Sequence, residues 1–402
     1  MVLNTAVVFA LVDLALRPFF PPPESAPSGP ADIRAAVARF RQDPTASAFG
    51  GKFQGFFPDL APVDIAELMA ETLATYSRPL RYEPWTQFRE HPYTGRFITV
   101  DAAGFRHGAD QGPWPPDTRD FVVFVFGGST TFGYGLPGVA TVPSALQGLL
   151  GRVGDRRVRV YNFGRGFYFS TQERVLFERL LHEGHRPDLA VFIDGLNDFY
   201  SASGEPEFTE RLARLMARPT PPPPTLLEAL GATAIGRAAT SLRARLAQHQ
   251  QSPDLPSAGV SSGITPPAAR TTRARPTPPG SDHVIDDVIR RVQRNKQLTE
   301  AAARAFDVAT AFVWQPVPTY KHAAIERHDF GPHARSGPGY AAMADLVATG
   351  ALGDNFLWCA DIQQGLTEEL YLDQVHYTPH MARLFATCIA DQLRARRIVA
   401  TH

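Results

Sequence analysis

Residues 121 to 126 read Phe-Val-Val-Phe-Val-Phe, six apolar residues without a polar break. A strand with one wet face alternates apolar and polar side chains. This run does not alternate, so it reads as a strand buried on both faces. Leu189 to Ile193 and Val308 to Trp314 read the same way, and Arg157 to Asn162 is a further short strand. Helical patterns lie between them. One helix is capped near Thr141 with Pro143 in its first turn, a second covers Gln172 to Leu181, and a third covers about Ile289 to Phe306. A last helix begins at Thr378-Pro379 and carries Met381, Leu384, Phe385, Cys388, Ile389 and Leu393 on one face. Strands alternating with helices predict an α/β fold, with a central parallel sheet covered on both sides.

At 402 residues the chain has room for segments beyond such a core. Residues 1 to 20 form an apolar N-terminal segment ended by Phe20-Pro21-Pro22-Pro23. The run Val2 to Leu16 is short for a membrane span, and no Lys or Arg precedes it. A membrane-associated helix, a packed N-terminal helix and a secretory signal all stay open. Localisation therefore stands between the cell envelope and the cytoplasm. Residues 31 to 116 read as an N-terminal extension. In it Ile65, Leu68, Met69, Leu73 and Tyr76 share a helical face, with Asp64 and Glu67 resembling a capping box. Strands and turns are expected from Tyr82 to Arg106. Residues 216 to 282 read as an insertion: Pro219 to Pro224, an expected helix from Leu226 to Gln248, then a Pro/Ser/Thr/Gly-rich stretch too polar to bury a core.

The 40 basic and 40 acidic residues give a net charge of +0, and no Lys/Arg cluster appears, so nothing points to a nucleic-acid partner. Cys359 and Cys388 have no metal or redox spacing and do not identify a redox compartment.

Three distant blocks carry chemistry when taken together. Gly127-Gly128-Ser129 follows the first buried strand, at the carboxyl edge where open parallel sheets bind ligands. Ser129 offers a nucleophile and, with its N–H, an anion donor. Gly195-Leu196-Asn197-Asp198 follows another buried strand, and the Asn197 amide can donate to an oxyanion. Asp373-Gln374-Val375-His376 offers a base and the carboxylate that orients it. Each block also has a plain structural reading: a serine helix cap, a tight turn, and a surface turn before a helix. A metal site from Asp373, His376 and His380 is a weaker alternative. Gly259-Val260-Ser261-Ser262-Gly263 spells G-x-S-x-G but lies in the polar insertion, without the strand and helix that motif requires.

With Asn162-Phe163-Gly164-Arg165-Gly166 as a fourth block, the chain resembles the SGNH/GDSL hydrolases over roughly residues 118 to 398, with all four blocks in family order. The resemblance implies a flavodoxin-like three-layer sandwich within a domain spanning 118–400, and ester hydrolysis without a cofactor or metal. It assigns Ser129, Asp373 and His376 as the triad. It assigns the Ser129 N–H, the Asn197 amide and a backbone N–H of the 164–167 loop to the oxyanion. Two departures stand out. Gly128 replaces the usual Asp, and Phe167 stands at the usual oxyanion glycine. The backbone N–H of Phe167 or of Gly166 can still serve, with Gly166 the preferred donor, and Phe167 is expected to narrow the acyl pocket toward a small group. The implied substrate is a small-molecule or glycan ester, such as an acetylated carbohydrate. Acyl transfer at the same site, and a catalytically silent carbohydrate-binding or envelope-assembly role, are the alternatives.

Overall fold

The computed structural model describes residues 54–77, 80–217, 281–322 and 330–399. The apolar segment 1–20 and, within the insertion, Pro219 to Pro224, the expected helix at Leu226 to Gln248 and the G-x-S-x-G segment lie outside the described residues. Among the described residues no helix is long and apolar enough to cross a membrane. Every described element but the helix Thr209–Ala217 belongs to one compact unit.

Helix α1 (Pro62–Ser77) leads into two short antiparallel pairs, β1 (Arg81–Glu83) with β2 (Gln87–Arg89), and β3 (Tyr93–Thr94) with β4 (Thr99–Val100). The core then runs β5 (Phe121–Gly127), α2 (Ser129–Phe132), α3 (Val142–Leu150), β6 (Arg152–Val153), β7 (Arg156–Gly164), α4 (Ser170–His182), β8 (Leu189–Asp194) and α5 (Leu196–Tyr200). It continues through α6 (Ser281–Ala305), β9 (Ala309–Trp314), α7 (Ser336–Ala348), β10 (Phe356–Trp358) and α8 (Pro379–Ala395). The sheet order is β10-β9-β8-β5-β7-β6, and only the short edge strand β6 is antiparallel. Taken in chain order, the five parallel strands lie 2-1-3-4-5. This is the flavodoxin-like doubly wound order that the motif resemblance implies.

The unbroken apolar run of β5 has a direct cause. Val123 and Val125 face one core, while Val122, Phe124 and Phe126 face the other. Helices α3 and α8 cover the valine side with Leu146, Leu150, Met381, Phe385, Ile389 and Leu393. On the second side α4, α6 and α7 bring Leu176, Phe177, Val288, Val292 and Met343. There Phe163, Phe126, Phe192 and Phe312 stand side by side on four neighbouring strands. Their ring centroids are 5.7, 4.9 and 5.2 Å apart and nearly parallel. Each such buried ring contributes about 1.5–3 kcal/mol, and each pair about 0.5–1.5 kcal/mol more.

Three features differ from the sequence reading. Helix α6 starts eight residues before Ile289, because Ile285, Val288, Ile289 and Val292 already hold helical spacing against the second core. Strand β10 and helix α7 were not anticipated: one has three residues, and the other opens on Ser336-Gly337-Pro338-Gly339. Asp64 and Glu67 do not form a capping box; both pair with Arg96. Nearby, buried Glu71 accepts the N–H groups of Arg96, Phe97 and Ile98 at 2.6, 2.9 and 2.8 Å, tying α1 to the hairpins. Cys359 and Cys388 are joined as a disulfide, with Cα atoms 6.1 Å apart.

Candidate active site

Strand β5 delivers Ser129 to the carboxyl edge of the sheet, where it opens α2 half-buried. The two glycines before it are required by close approach. A Cβ at Gly127 would stand 2.0 Å from Thr131 Oγ1, and one at Gly128 would stand 2.3 Å from Asn197 Nδ2. The second contact leaves no room for a side chain at position 128 and sets Asn197 against the residue preceding Ser129. Asn162 braces the turn from β7. Its amide donates to Thr131 O at 2.9 Å, while its carbonyl accepts the Gly164 N–H at 2.9 Å. Buried Arg106, from the extension, donates to the carbonyls of Phe132 and Gly133 at 2.8 and 2.6 Å and closes the end of α2.

Asn197 sits in the first turn of α5. Gly195 makes that turn at φ +120°, and its Cα faces Tyr340 so closely that a Cβ would meet the hydroxyl at 2.3 Å. Asp198 accepts the Gly195 N–H at 3.2 Å and the Ser170 hydroxyl at 2.6 Å, which holds the turn shut. Asn197 donates one amide hydrogen to Tyr168 O at 2.7 Å, leaving the other for a ligand.

His376 and Asp373 are paired as the spacing implies. The ring Nδ1 and Asp373 Oδ2 are 2.7 Å apart. The other carboxylate oxygen accepts the Val375 and His376 N–H groups at 2.8 and 2.9 Å. Desolvation would raise the Asp373 pKa, but the His376 charge and these hydrogen bonds outweigh it and hold the carboxyl below its ordinary range. The side chain stays 38% exposed, so solvent screens much of this attraction. His376 Nε2 is buried and has no hydrogen-bond partner among the described residues.

The nucleophile block and the histidine block meet on one side chain. Thr130, next to Ser129, donates to Gln315 Oε1 at 2.7 Å, and Tyr377, next to His376, donates to the same oxygen at 2.9 Å. Gln315 follows β9 directly. Tyr134 packs edge-on to the His376 ring at 5.8 Å. His380 turns away, 3.4 Å from Glu368. Among the described residues no group of three or more His, Cys, Asp or Glu side chains is arranged to hold a metal ion.

Of the two N–H groups left open for the oxyanion, the preferred one, that of Gly166, is already engaged. Its N–H donates to buried Glu90 Oε1 at 2.8 Å and is taken. Phe167 instead has φ +63°, the left-handed region that favours glycine, and its N–H makes no hydrogen bond among the described residues. A bulky side chain thus stands on a backbone conformation that favours glycine. That ring lies 6.4 Å from Tyr200, which stacks on His333 at 5.0 Å. Burial and the His376 charge push His333 down to about 4 against the opposing pull of Asp373, so it is neutral at pH 7. Glu90, Gln315, Tyr200 and His333 carried no motif in the sequence. Only the topology brings them to this edge.

No family model matches the chain, and no curated protein matches it. Solved structures align at low identity. A member of the lipolytic protein G-D-S-L family from Veillonella parvula is 9% identical and covers 67% of this chain and 96% of its own, with a TM-score of 0.36. A carbohydrate acetylesterase from Sinorhizobium meliloti is 12% identical, covering 68% and 98%, with a TM-score of 0.34. A catalytic mutant of an acetylxylan esterase from Geobacillus stearothermophilus is 11% identical, covering 70% and 97%, with a TM-score of 0.35.

Proposed function

We propose that the chain is a serine hydrolase of carboxylic esters. The observation that carries this reading is the shared Gln315 oxygen. It ties Thr130 to Tyr377, so the residues just before them, Ser129 and His376, open onto one edge of the sheet. His376 takes the Ser129 proton through its unpartnered Nε2 as the hydroxyl attacks the ester carbonyl. Asp373 holds the ring and balances the imidazolium. The Ser129 N–H, the Phe167 N–H and the free Asn197 amide hydrogen converge on the tetrahedral oxyanion. Each such donor contributes about 2.7–4 kcal/mol of barrier lowering. His376 then protonates the leaving alcohol, and water repeats the sequence on the acyl-enzyme.

The half-buried Phe167 ring beside Tyr200 supports a small acyl group such as acetyl, and a carbohydrate or other polar alcohol suits an edge carrying His333 and Tyr200. Rates with p-nitrophenyl esters of increasing acyl length test the reading. Activity that peaks at acetate and vanishes in Ser129→Ala supports it. Undiminished activity in Ser129→Ala overturns it.

A further inference from the structure

A cavity of about 340 Å³ opens between the β1–β2 pair, the loop at Ala102 and Ala103, Trp114 and the carboxyl end of α4. None of its lining residues belongs to the site around Ser129. Its walls carry Arg81, Arg89, Arg179 and His185, and Tyr82 stands 65% exposed at its rim.

The charges there do not balance. Glu83 is the centre of the cluster. Its Oε1 meets Arg179 at 2.9 Å and Arg89 at 3.3 Å, and its Oε2 meets Arg165 and accepts the Thr86 hydroxyl at 3.0 Å. One carboxylate therefore serves three guanidiniums. Glu183, half-exposed, lies 3.3 Å from Arg179 Nε and is the second acid in the lining. Arg81 adds a fourth guanidinium, close enough that its charge acts on Arg89, and its side chain has no ion-pair partner among the described residues. Three guanidiniums, Arg81, Arg89 and Arg179, thus line the cavity with two carboxylates, Glu83 and Glu183, and Glu83 is shared with Arg165 behind the wall. Glu90 also acts on Arg165; burial raises its pKa against the opposing pull of the Gly166 N–H and Arg165.

Arg165 makes the shortfall concrete. It is 0% exposed, and its Nε and Nη2 have no hydrogen-bond partner among the described residues. Nη2 comes within 3.0 Å of where a Gly104 Cβ would stand, and Arg89 Nη1 within 2.6 Å of the same point. Only a glycine leaves room there for both guanidiniums beside the loop that walls the cavity, and Arg89 Nη1 donates to Ala102 O at 3.1 Å. The buried guanidiniums share Glu83, while Arg81, at the exposed mouth of the cavity, has no carboxylate among the described residues and is placed to meet a ligand. Planar guanidinium forks fit carboxylate and phosphate oxygens in pairs. The volume lies within the usual range for small-ligand sites.

We propose that this cavity binds an oxyanion, a phosphate or carboxylate group on a small polar ligand, at a site separate from Ser129. Isothermal titration of the full chain at low ionic strength tests it, with inorganic phosphate, glucuronate and, as the uncharged control, glucose. At least one anion should bind with a Kd at or below about 1 mM, and glucose should not. Whichever of phosphate and glucuronate binds tighter names the group. Arg81→Glu should weaken that binding about tenfold or more without moving the thermal midpoint, because Arg81 is exposed. Arg81→Gln should fall between. Ser129→Ala should bind as wild type does. No binding of either anion overturns the proposal, as does unchanged affinity in Arg81→Glu or loss of binding in Ser129→Ala.

Discussion

Glu90 Oε1 accepts the Gly166 N–H at 2.8 Å, joining residues 76 positions apart. The same oxygen takes the Tyr134 hydroxyl at 3.0 Å, and Tyr134 packs on the His376 ring. A carboxyl from the N-terminal extension thus fixes both the loop that presents the Phe167 N–H and one wall of the histidine. Glu90→Ala should lower kcat with little change in KM, by up to about 10²-fold, the scale of a 1 Å misplacement. It should also cost about 1–3 kcal/mol of stability, because two buried donors lose their acceptor. Glu90→Gln keeps a carbonyl oxygen for Gly166 and should retain most of the activity. Steady-state kinetics and thermal melts on the two variants check this. Equal loss in both would contradict the positioning role of the Glu90 oxygen.

Phe167 occupies a glycine conformation, which costs about 1–3 kcal/mol in local strain. Phe167→Gly should relieve that strain while opening the space beside Tyr200. The expected outcome is a shift of kcat/KM from acetate toward butyrate and hexanoate esters, with acetate activity largely kept. An unchanged acyl-length profile would mean that the ring does not bound the acyl pocket.

In the proposed mechanism the Asn197 amide and the Asp373 carboxylate stabilise two different charges of the same tetrahedral transition state, the oxyanion and the imidazolium. Asn197→Ala should reduce kcat about 10²–10³-fold with KM nearly constant, because its donor is needed in the transition state. Asp373→Asn should cost up to about 10⁴-fold, as in the serine protease triad, by removing the charge that steadies the imidazolium. Parallel kcat and KM measurements separate these from a general loss of folding.

Below the site, Glu173 is buried with both oxygens unpartnered among the described residues, and burial plus the charges of Asp194 and Asp198 raise its pKa well above 4.5. The folded chain therefore holds a proton that the unfolded chain releases above about pH 4.5. Between the unfolded and folded pKa values the native state binds more protons, so stability falls as pH rises through that window. Glu173→Gln removes this term. Melting temperatures from pH 4 to 8 should decline less steeply in the variant, which should be the more stable form at neutral pH. Parallel curves would contradict the buried-acid assignment.

A parallel sheet covered on both sides was legible because both faces of β5 and β8 are buried, which leaves continuous apolar runs; the flavodoxin-like order was implied only by the resemblance of the motif blocks. The pairing of Asp373 with His376 was legible because three residues suffice for the contact. The engagement of the Gly166 N–H by Glu90 was not legible, because local sequence does not reveal a contact 76 residues away. Gln315 was missed for the same reason: a glutamine after a strand has no signature until the topology brings Thr130 and Tyr377 to it. Cys359 and Cys388, 29 residues apart, become a pair only when α8 packs beside the end of β10.

The most direct test of the account is covalent labelling at Ser129. A fluorophosphonate that mimics the tetrahedral intermediate, followed by intact-mass and peptide mass spectrometry, reports which residue becomes modified. The account predicts a single adduct on the peptide carrying Ser129, formed rapidly by the wild type, slowly by Asp373→Asn and not at all by Ser129→Ala. An adduct on another serine, or the same labelling in Ser129→Ala, would contradict it.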